Sequence, residues 1–162
     1  MDPKNTPKLN IDKSLDKLDL QIIQSMMLDA EISYADLGKQ LFVSGGTIHV
    51  RIKKLEELGI VRGKRLAVDM KVLGYDVIAF IGIYLEKSSL YDSVAEALQK
   101  IPQIVRLNYT TGNYSMFAEI VCTDIQQLKV VLHDKLQNIK GIERTETLIS
   151  LEESFNRNIV VV

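Results

Sequence analysis

Two apolar stripes at helical spacing, with almost nothing between them, constrain this chain more than any other feature. Ala35, Leu37, Leu41 and Phe42 make the first, and Ile48, Ile52, Leu55 and Leu58 make the second. Ser33 and Ser44 stand where N-caps are needed. With only Val43 and Ser44 predicted between the helices, the second has to cross the first steeply instead of lying alongside it, which is helix-turn-helix geometry.

Stepping about 100° per residue along the second helix brings Ile48, Ile52 and Leu55 into one inward sector and turns Gly46, Thr47, His49, Val50, Lys53 and Lys54 away from it. Such an outer face fits a major groove. Its first turn, opened by Ser44, Gly45, Gly46 and Thr47, is placed to approach base edges, and its two lysines to meet phosphates. Gly45 and Gly46 cost a helix about 1 kcal/mol each against alanine, but they let the backbone come close to DNA.

Beyond Gly59, Ile60 and Val61 resume an apolar run, Arg62, Gly63, Lys64 and Arg65 form a basic turn, and Leu66 and Val68 return as a second strand. This pattern predicts a hairpin wing in which Gly63 supplies a positive φ. From Val43 to Arg65 the basic residues Arg51, Lys53, Lys54, Arg62, Lys64 and Arg65 outweigh Glu56 and Glu57 by +4, in a chain whose net charge is −1. Positive charge is gathered where phosphates would lie, with Arg62, Lys64 and Arg65 as the wing's contacts to double-stranded DNA.

At 162 residues and 46% apolar content the chain suits one or two small packed domains. No apolar run approaches the ~20 residues of a membrane span, and Met1, Asp2, Pro3, Lys4 and Asn5 lack the apolar stretch of a signal peptide. The single cysteine, Cys122, has no internal partner, so a cytoplasmic location is expected. Its neighbours Ile120 and Val121 predict a buried strand position. Residues 1–14 read as a disordered tail. Leu18, Ile22, Ile23, Met26 and Met27, capped by Asp16 or Asp19, add a third helix and complete a DNA-binding domain over 15–69. A linker is predicted at 70–76, where Gly74 breaks the pattern. Residues 1–74 carry 12 basic and 10 acidic side chains, whereas 75–162 carry 8 and 11, so the charge balance shifts there as well.

Residues 77–152 alternate strand and helix signals in the order βαββαβ, a ferredoxin-like arrangement, which makes the whole chain α+β; 153–162 form a C-terminal tail. Strands are predicted at Val77–Leu85, Val105–Thr111, Tyr114–Cys122 and Thr145–Leu151. Helical stripes run through Leu90, Val94, Ala97, Leu98 and Ile101, and through Ile125, Leu128, Val131, Leu132, Leu136 and Ile139, the latter started by Asp124 and stopped by Gly141. Gly112 and Asn113 mark the turn between the middle strands. The first strand leaves almost no polar position on either face, so both faces are expected to be covered: one by the helices, the other by a second copy of the chain. Such a homodimer would match a pseudo-palindrome with half-sites about one turn apart.

From Leu15 to Leu151 the order of parts resembles the Lrp/AsnC, or feast/famine, family of transcriptional regulators. Leu15-Asp-Lys-Leu-Asp-Leu-Gln-Ile-Ile looks like that family's first helix, Val43-Ser-Gly-Gly-Thr-Ile-His-Val-Arg like the start of its recognition helix, and Leu73-Gly-Tyr-Asp like its interdomain junction. Tyr109-Thr-Thr-Gly-Asn-Tyr-Ser-Met-Phe and Thr145-Glu-Thr-Leu-Ile-Ser-Leu are similar to the asparagine-responsive AsnC branch. The resemblance implies a winged helix-turn-helix joined to an amino-acid-responsive domain, with dimers assembling into higher oligomers. By position it implies an effector site formed by Tyr109, Thr110, Thr111, Gly112, Asn113, Tyr114 and Ser115, facing Thr145, Glu146 and Thr147. Amides near Gly112 would hold an α-carboxylate and Glu146 an α-ammonium. Ser115 stands where the wider family is expected to carry aspartate, and agrees with the asparagine branch.

Enzymatic chemistry finds little to work with. His49 and His133, with one cysteine, do not make a metal constellation; no Gly-x-Ser-x-Gly elbow exists; and Ser44-Gly-Gly-Thr lacks the lysine and spacing of a phosphate loop. No cofactor is expected. Two alternatives remain: a nucleoid-type architectural DNA-binding protein without a ligand, and an enzyme resembling the sirohaem decarboxylases, which share this architecture but have given up DNA binding.

Overall fold

A computed structural model describes residues 15–161, so the tail predicted at 1–14 lies outside the described residues. The chain forms two compact units. Among the described residues, one holds 15–66 together with 156–161; the other is Ala67–Phe155.

The first unit is built from α1 (Lys17–Leu28), α2 (Tyr34–Gln40) and α3 (Gly45–Glu57). Asp16 and Asp19 close a reciprocal capping box on α1, and the Ser33 and Ser44 side chains accept from the backbone N–H groups of Asp36 and Thr47. Ile22, Leu37, Ile48, Ile52 and Leu55 interlock as the buried core. The junction of α2 and α3 is longer than the stripes suggest. Leu41, Phe42, Val43 and Ser44 all lie between the helices, and Phe42 leaves the apolar set altogether, with φ +57° and its side chain almost wholly in solvent.

The wing differs as well. Residues 61–69 form no β-ladder, and Leu66 is exposed. The cause lies in how α3 stops: Gly59 turns left-handed at φ +70°, and the N–H groups of Ile60 and Val61 both donate to the carbonyl of Leu55. That closure is a Schellman motif, and it spends the donors that would have begun a strand. An extended basic loop follows, bent at Gly63 with φ +126°. Near the other end of the chain, the side chain of Asn158 donates to the carbonyl of Met27, and the Val161 N–H donates to Oε1 of Gln24, so the predicted tail returns to α1.

The second unit is a four-stranded antiparallel sheet in the order β2-β3-β1-β4, made of β1 (Val77–Leu85), β2 (Ile104–Tyr109), β3 (Met116–Cys122) and β4 (Ile142–Ile149). Helices α4 (Tyr91–Gln99) and α5 (Ile125–Val130) connect the strands. Asp124 caps α5, and its continuation over Val131–Leu136 widens into π-helical bonding before Gly141, at φ +96°, ends the segment. β4 consequently starts at Ile142, three residues earlier than predicted, and its pairing with β1 carries an irregularity at Tyr84 and Leu85.

Pleat alternation divides the sheet cleanly. Ala79, Ile81, Ile83, Met116, Ala118, Ile120 and Cys122 are buried among Val94, Leu98, Leu128, Val131 and Leu136. Burial pushes the Cys122 thiol up from its ordinary pKa. On the opposite face Ile78, Phe80, Gly82 and Tyr84 of β1 neighbour Phe117, Glu119 and Val121 of β3. No helix of the unit covers this side, which the chain shields only partly with its own aromatic rings.

Candidate nucleic-acid interface and effector loop

The crossing of α2 and α3 depends on two glycines. A Cβ at Gly38 would sit 2.7 Å from the carbonyl oxygen of Val43, and one at Gly45 would be 3.3 Å from the Cα of Ala35. Gly45 therefore serves helix packing, whereas sequence reasoning gave it to the DNA. Gly46, by contrast, is not crowded: the nearest neighbour of a Cβ there would be the Ser44 hydroxyl, at an ordinary 3.7 Å.

On α3 the inward sector is as predicted: Ile48, Ile52 and Leu55 are buried, while Gly46, His49, Val50 and Lys53 are exposed and Thr47 is half-buried. The His49 ring packs against Tyr34 of α2 at 5.7 Å between centroids. Lys54 departs from the expected outer face. Its Nζ lies 3.0 Å from the buried carboxylate of Asp19, so it pairs with α1. Arg51 meets the same carboxylate at 3.0 Å and that of Asp16 as well. Burial tends to raise the Asp19 pKa, but the bonds from Arg51 and Lys54 overcome it and hold the carboxyl below its ordinary value. Arg62, Lys64 and Arg65 are exposed along the basic loop, with Lys64 3.9 Å from Glu31.

In the second unit the loop between β2 and β3 is closed at its base. Thr110 donates its N–H to the Ser115 carbonyl and its hydroxyl to the Tyr114 carbonyl. Ser115 is tied to β1, its N–H donating to Ile83 and its Oγ accepting from Leu85. Thr111, Gly112 and Asn113 project as the exposed tip, Gly112 at φ +102°. Tyr109, half-exposed, packs its ring against Tyr91 of α4 at 4.7 Å.

Tyr114 and Glu146 come together within one chain. Glu146 accepts hydrogen bonds from the hydroxyls of Tyr114 at 2.8 Å and Tyr84 at 3.0 Å, and pairs with Arg144 at 2.9 Å. Arg144 also lies 3.6 Å above the Tyr84 ring. The phenols, Tyr114 foremost, hold the Glu146 carboxyl below its usual range. This carboxylate, expected as an ammonium partner, already accepts from three groups of its own chain. Thr145 and Thr147 pair with Ile83 and Ile81 in the ladder and point to the opposite side of the sheet from Glu146. Tyr84 and Arg144 were missed in the sequence. A signal for Arg144 was present, since residues two apart on a strand share a face, and this one lies two before Glu146.

An open depression of about 530 Å³ beside α4, lined by residues including Glu86, Ser93, Asn138 and Lys140, contains none of the predicted effector residues. Among the described residues no helix is long and apolar enough to cross a membrane.

Residues 78–160 match the family described as Lrp/AsnC ligand binding domain, and residues 15–62 match winged helix-turn-helix DNA-binding. The regulatory protein AsnC of Escherichia coli is 43% identical over 145 residues, covering 90% of this chain and 95% of that protein. That of Haemophilus influenzae is 41% identical over 146 residues, covering 90% and 97%. A solved structure of Escherichia coli AsnC superposes with a TM-score of 0.85, covering 90% of this chain and 97% of its own.

Proposed function

We propose, from the premise that this chain belongs to the Lrp/AsnC family of ligand-responsive DNA-binding transcription regulators, that asparagine is its effector and that a homodimer is its DNA-reading form. The observation that carries the DNA half is the division of α3: Ile48, Ile52 and Leu55 fix it in the core while Gly46, Thr47, Val50 and Lys53 remain on the outer side. Ser44 and the basic loop with Arg62, Lys64 and Arg65 flank that surface, and His49 lies at its margin. Base edges meet the first turn, and phosphates meet Lys53 and the loop.

The effector half centres on the exposed tip Thr111, Gly112 and Asn113, with Tyr109, Thr110, Tyr114 and Ser115 holding it in place. Asparagine as ligand rests on the similarity of Tyr109–Phe117 to the asparagine-responsive branch. Glu146 enters through Tyr114, and Thr145 and Thr147 act only if a neighbouring subunit brings a ligand to their side of the sheet. The half-covered sheet face with Ile78, Phe80 and Phe117 supports self-association, since an apolar surface of this kind is stabilised by a second copy. The protein acts by binding, not catalysis, in the cytoplasm, with its DNA-binding domain over 15–69 and its effector domain over 77–152.

Titration of the twenty amino acids against a DNA-shift assay tests this function. Asparagine should change DNA affinity by about 5- to 150-fold, the range of ordinary allosteric coupling, and Asn113→Ala should reduce that change while leaving DNA binding in place. A response to another amino acid, or to none, refutes asparagine as the effector.

A further inference from the structure

Arg51 and Lys54 leave α3 on the flank that faces α1, where two carboxylates hold them. Asp19 has no solvent exposure. Its Oδ1 accepts from Arg51 at 3.0 Å, and its Oδ2 accepts from Lys54 at 3.0 Å and from the Asp16 N–H at 3.2 Å. Asp16 takes Arg51 from the other side and caps α1 through the Asp19 N–H at 2.9 Å. Lys54 follows Val50 by four residues, so it stands about 40° around the helix axis from that exposed position. Its side chain is 42% exposed, at the margin of the outer surface and within a side-chain swing of it.

A cation at that margin has two competing partners, the α1 carboxylate or a DNA phosphate. Each cation that meets a phosphate steepens the salt dependence of binding by about 0.9 in log–log slope, whatever the sequence. It strengthens binding to every duplex alike, and non-specific sites vastly outnumber specific ones. We propose that Asp19, with Asp16, withholds Lys54 and Arg51 from the DNA backbone, which leaves Lys53 as the phosphate contact of α3 and makes Asp19 a specificity-determining residue. This rests on α3 being the reading helix. The two aspartates act as an internal stand-in for phosphate oxygens, and the fold gains a rigid tie between α1 and α3 from the same bonds.

The test measures binding of the full chain to a mixed-sequence duplex over a series of salt concentrations. Lys53→Gln should lower the log–log slope by about 1 per bound reader, while Lys54→Gln leaves it as in the parent chain. Asp19→Asn should steepen the slope by about 1 per reader, strengthening binding an extra three- to fourfold for each fourfold dilution of salt. Adding Lys54→Gln to Asp19→Asn should return the slope to the parent value, an effect that a merely structural tie would not produce. The proposal is overturned if Lys54→Gln lowers the slope as Lys53→Gln does, or if the steepening survives in the double variant. Should Asp19→Asn fail to fold, the contrast between Lys53→Gln and Lys54→Gln decides alone. If neither lysine variant moves the slope, the assignment of α3 as the reading helix has failed, which is distinct from a failure of the withholding.

Discussion

The ring of Tyr114 lies so close over Gly82 that a Cβ added to the glycine would fall 2.4 Å from Cδ1 and Cε1 of the tyrosine. A loop residue is thereby pressed onto β1, one of the two central strands of the sheet, and its hydroxyl reaches on to Glu146. The near ring atoms leave the added methyl no flexible end to displace. Gly82→Ala should destabilise the protein by about 1–3 kcal/mol, the usual cost of overpacking. Combining it with Tyr114→Ala should cost less than the two single changes together. Urea unfolding of the four proteins of that cycle measures both.

The carboxyl of Glu146 is held low by hydrogen bonds from Tyr114 and then Tyr84. A folded-state pKa below the unfolded value contributes stability that is present above the unfolded value and lost as pH falls through the folded one. Tyr114→Phe keeps the ring over Gly82 and removes one donor, so the Glu146 pKa should rise toward the ordinary carboxylate value. The contribution should then be smaller, and its loss on acidification should be complete at a higher pH. An NMR titration of the Glu146 side chain reads the shift directly.

Gly38 leaves no room for a side chain, because a Cβ would stand 2.7 Å from the Val43 carbonyl oxygen and 3.0 Å from the Gly45 nitrogen. Both are backbone atoms, and neither moves without opening the crossing of α2 and α3. Gly38→Ala should lower stability by more than 1 kcal/mol, despite alanine's better helix propensity of about 1 kcal/mol. It should weaken specific DNA binding in parallel, as thermal unfolding and a shift assay on the same sample would show.

Phe42 is the one non-glycine residue at positive φ among those described, and it is 95% exposed, so packing of its side chain does not offset the conformation; the backbone bonds that close α2 around it, from the N–H groups of Phe42 and Val43, are equally open to glycine. The left-handed region costs an L-residue roughly 1–2 kcal/mol, while glycine gives back about 0.5–1 kcal/mol in unfolded-state entropy. Phe42→Gly should therefore raise the unfolding midpoint by a few degrees.

Period and capping carried most of the fold. The inward sector of Ile48, Ile52 and Leu55, the caps at Ser33, Ser44 and Asp124, and the strand order around Gly112 could all be seen in the residues alone. What escaped were competitions decided in three dimensions. Ile60 and Val61 look like a strand, but their N–H groups close the end of α3 instead. Lys54 belongs to the outer face by helical period, yet a buried carboxylate 35 residues earlier in the chain claims it. Thr145, Glu146 and Thr147 read as one motif, although strand alternation alone places the glutamate on one face and the threonines on the other.

The sequence contains a single cysteine, and it stands at the end of β3 with its sulfur sealed in the core of the sheet unit. An alkylating reagent can consume Cys122 only when that core opens, so the speed of labelling counts openings of the sheet unit and is blind to fraying in the helical one. Without any engineered label, the chain carries its own clock for how often its effector half comes apart.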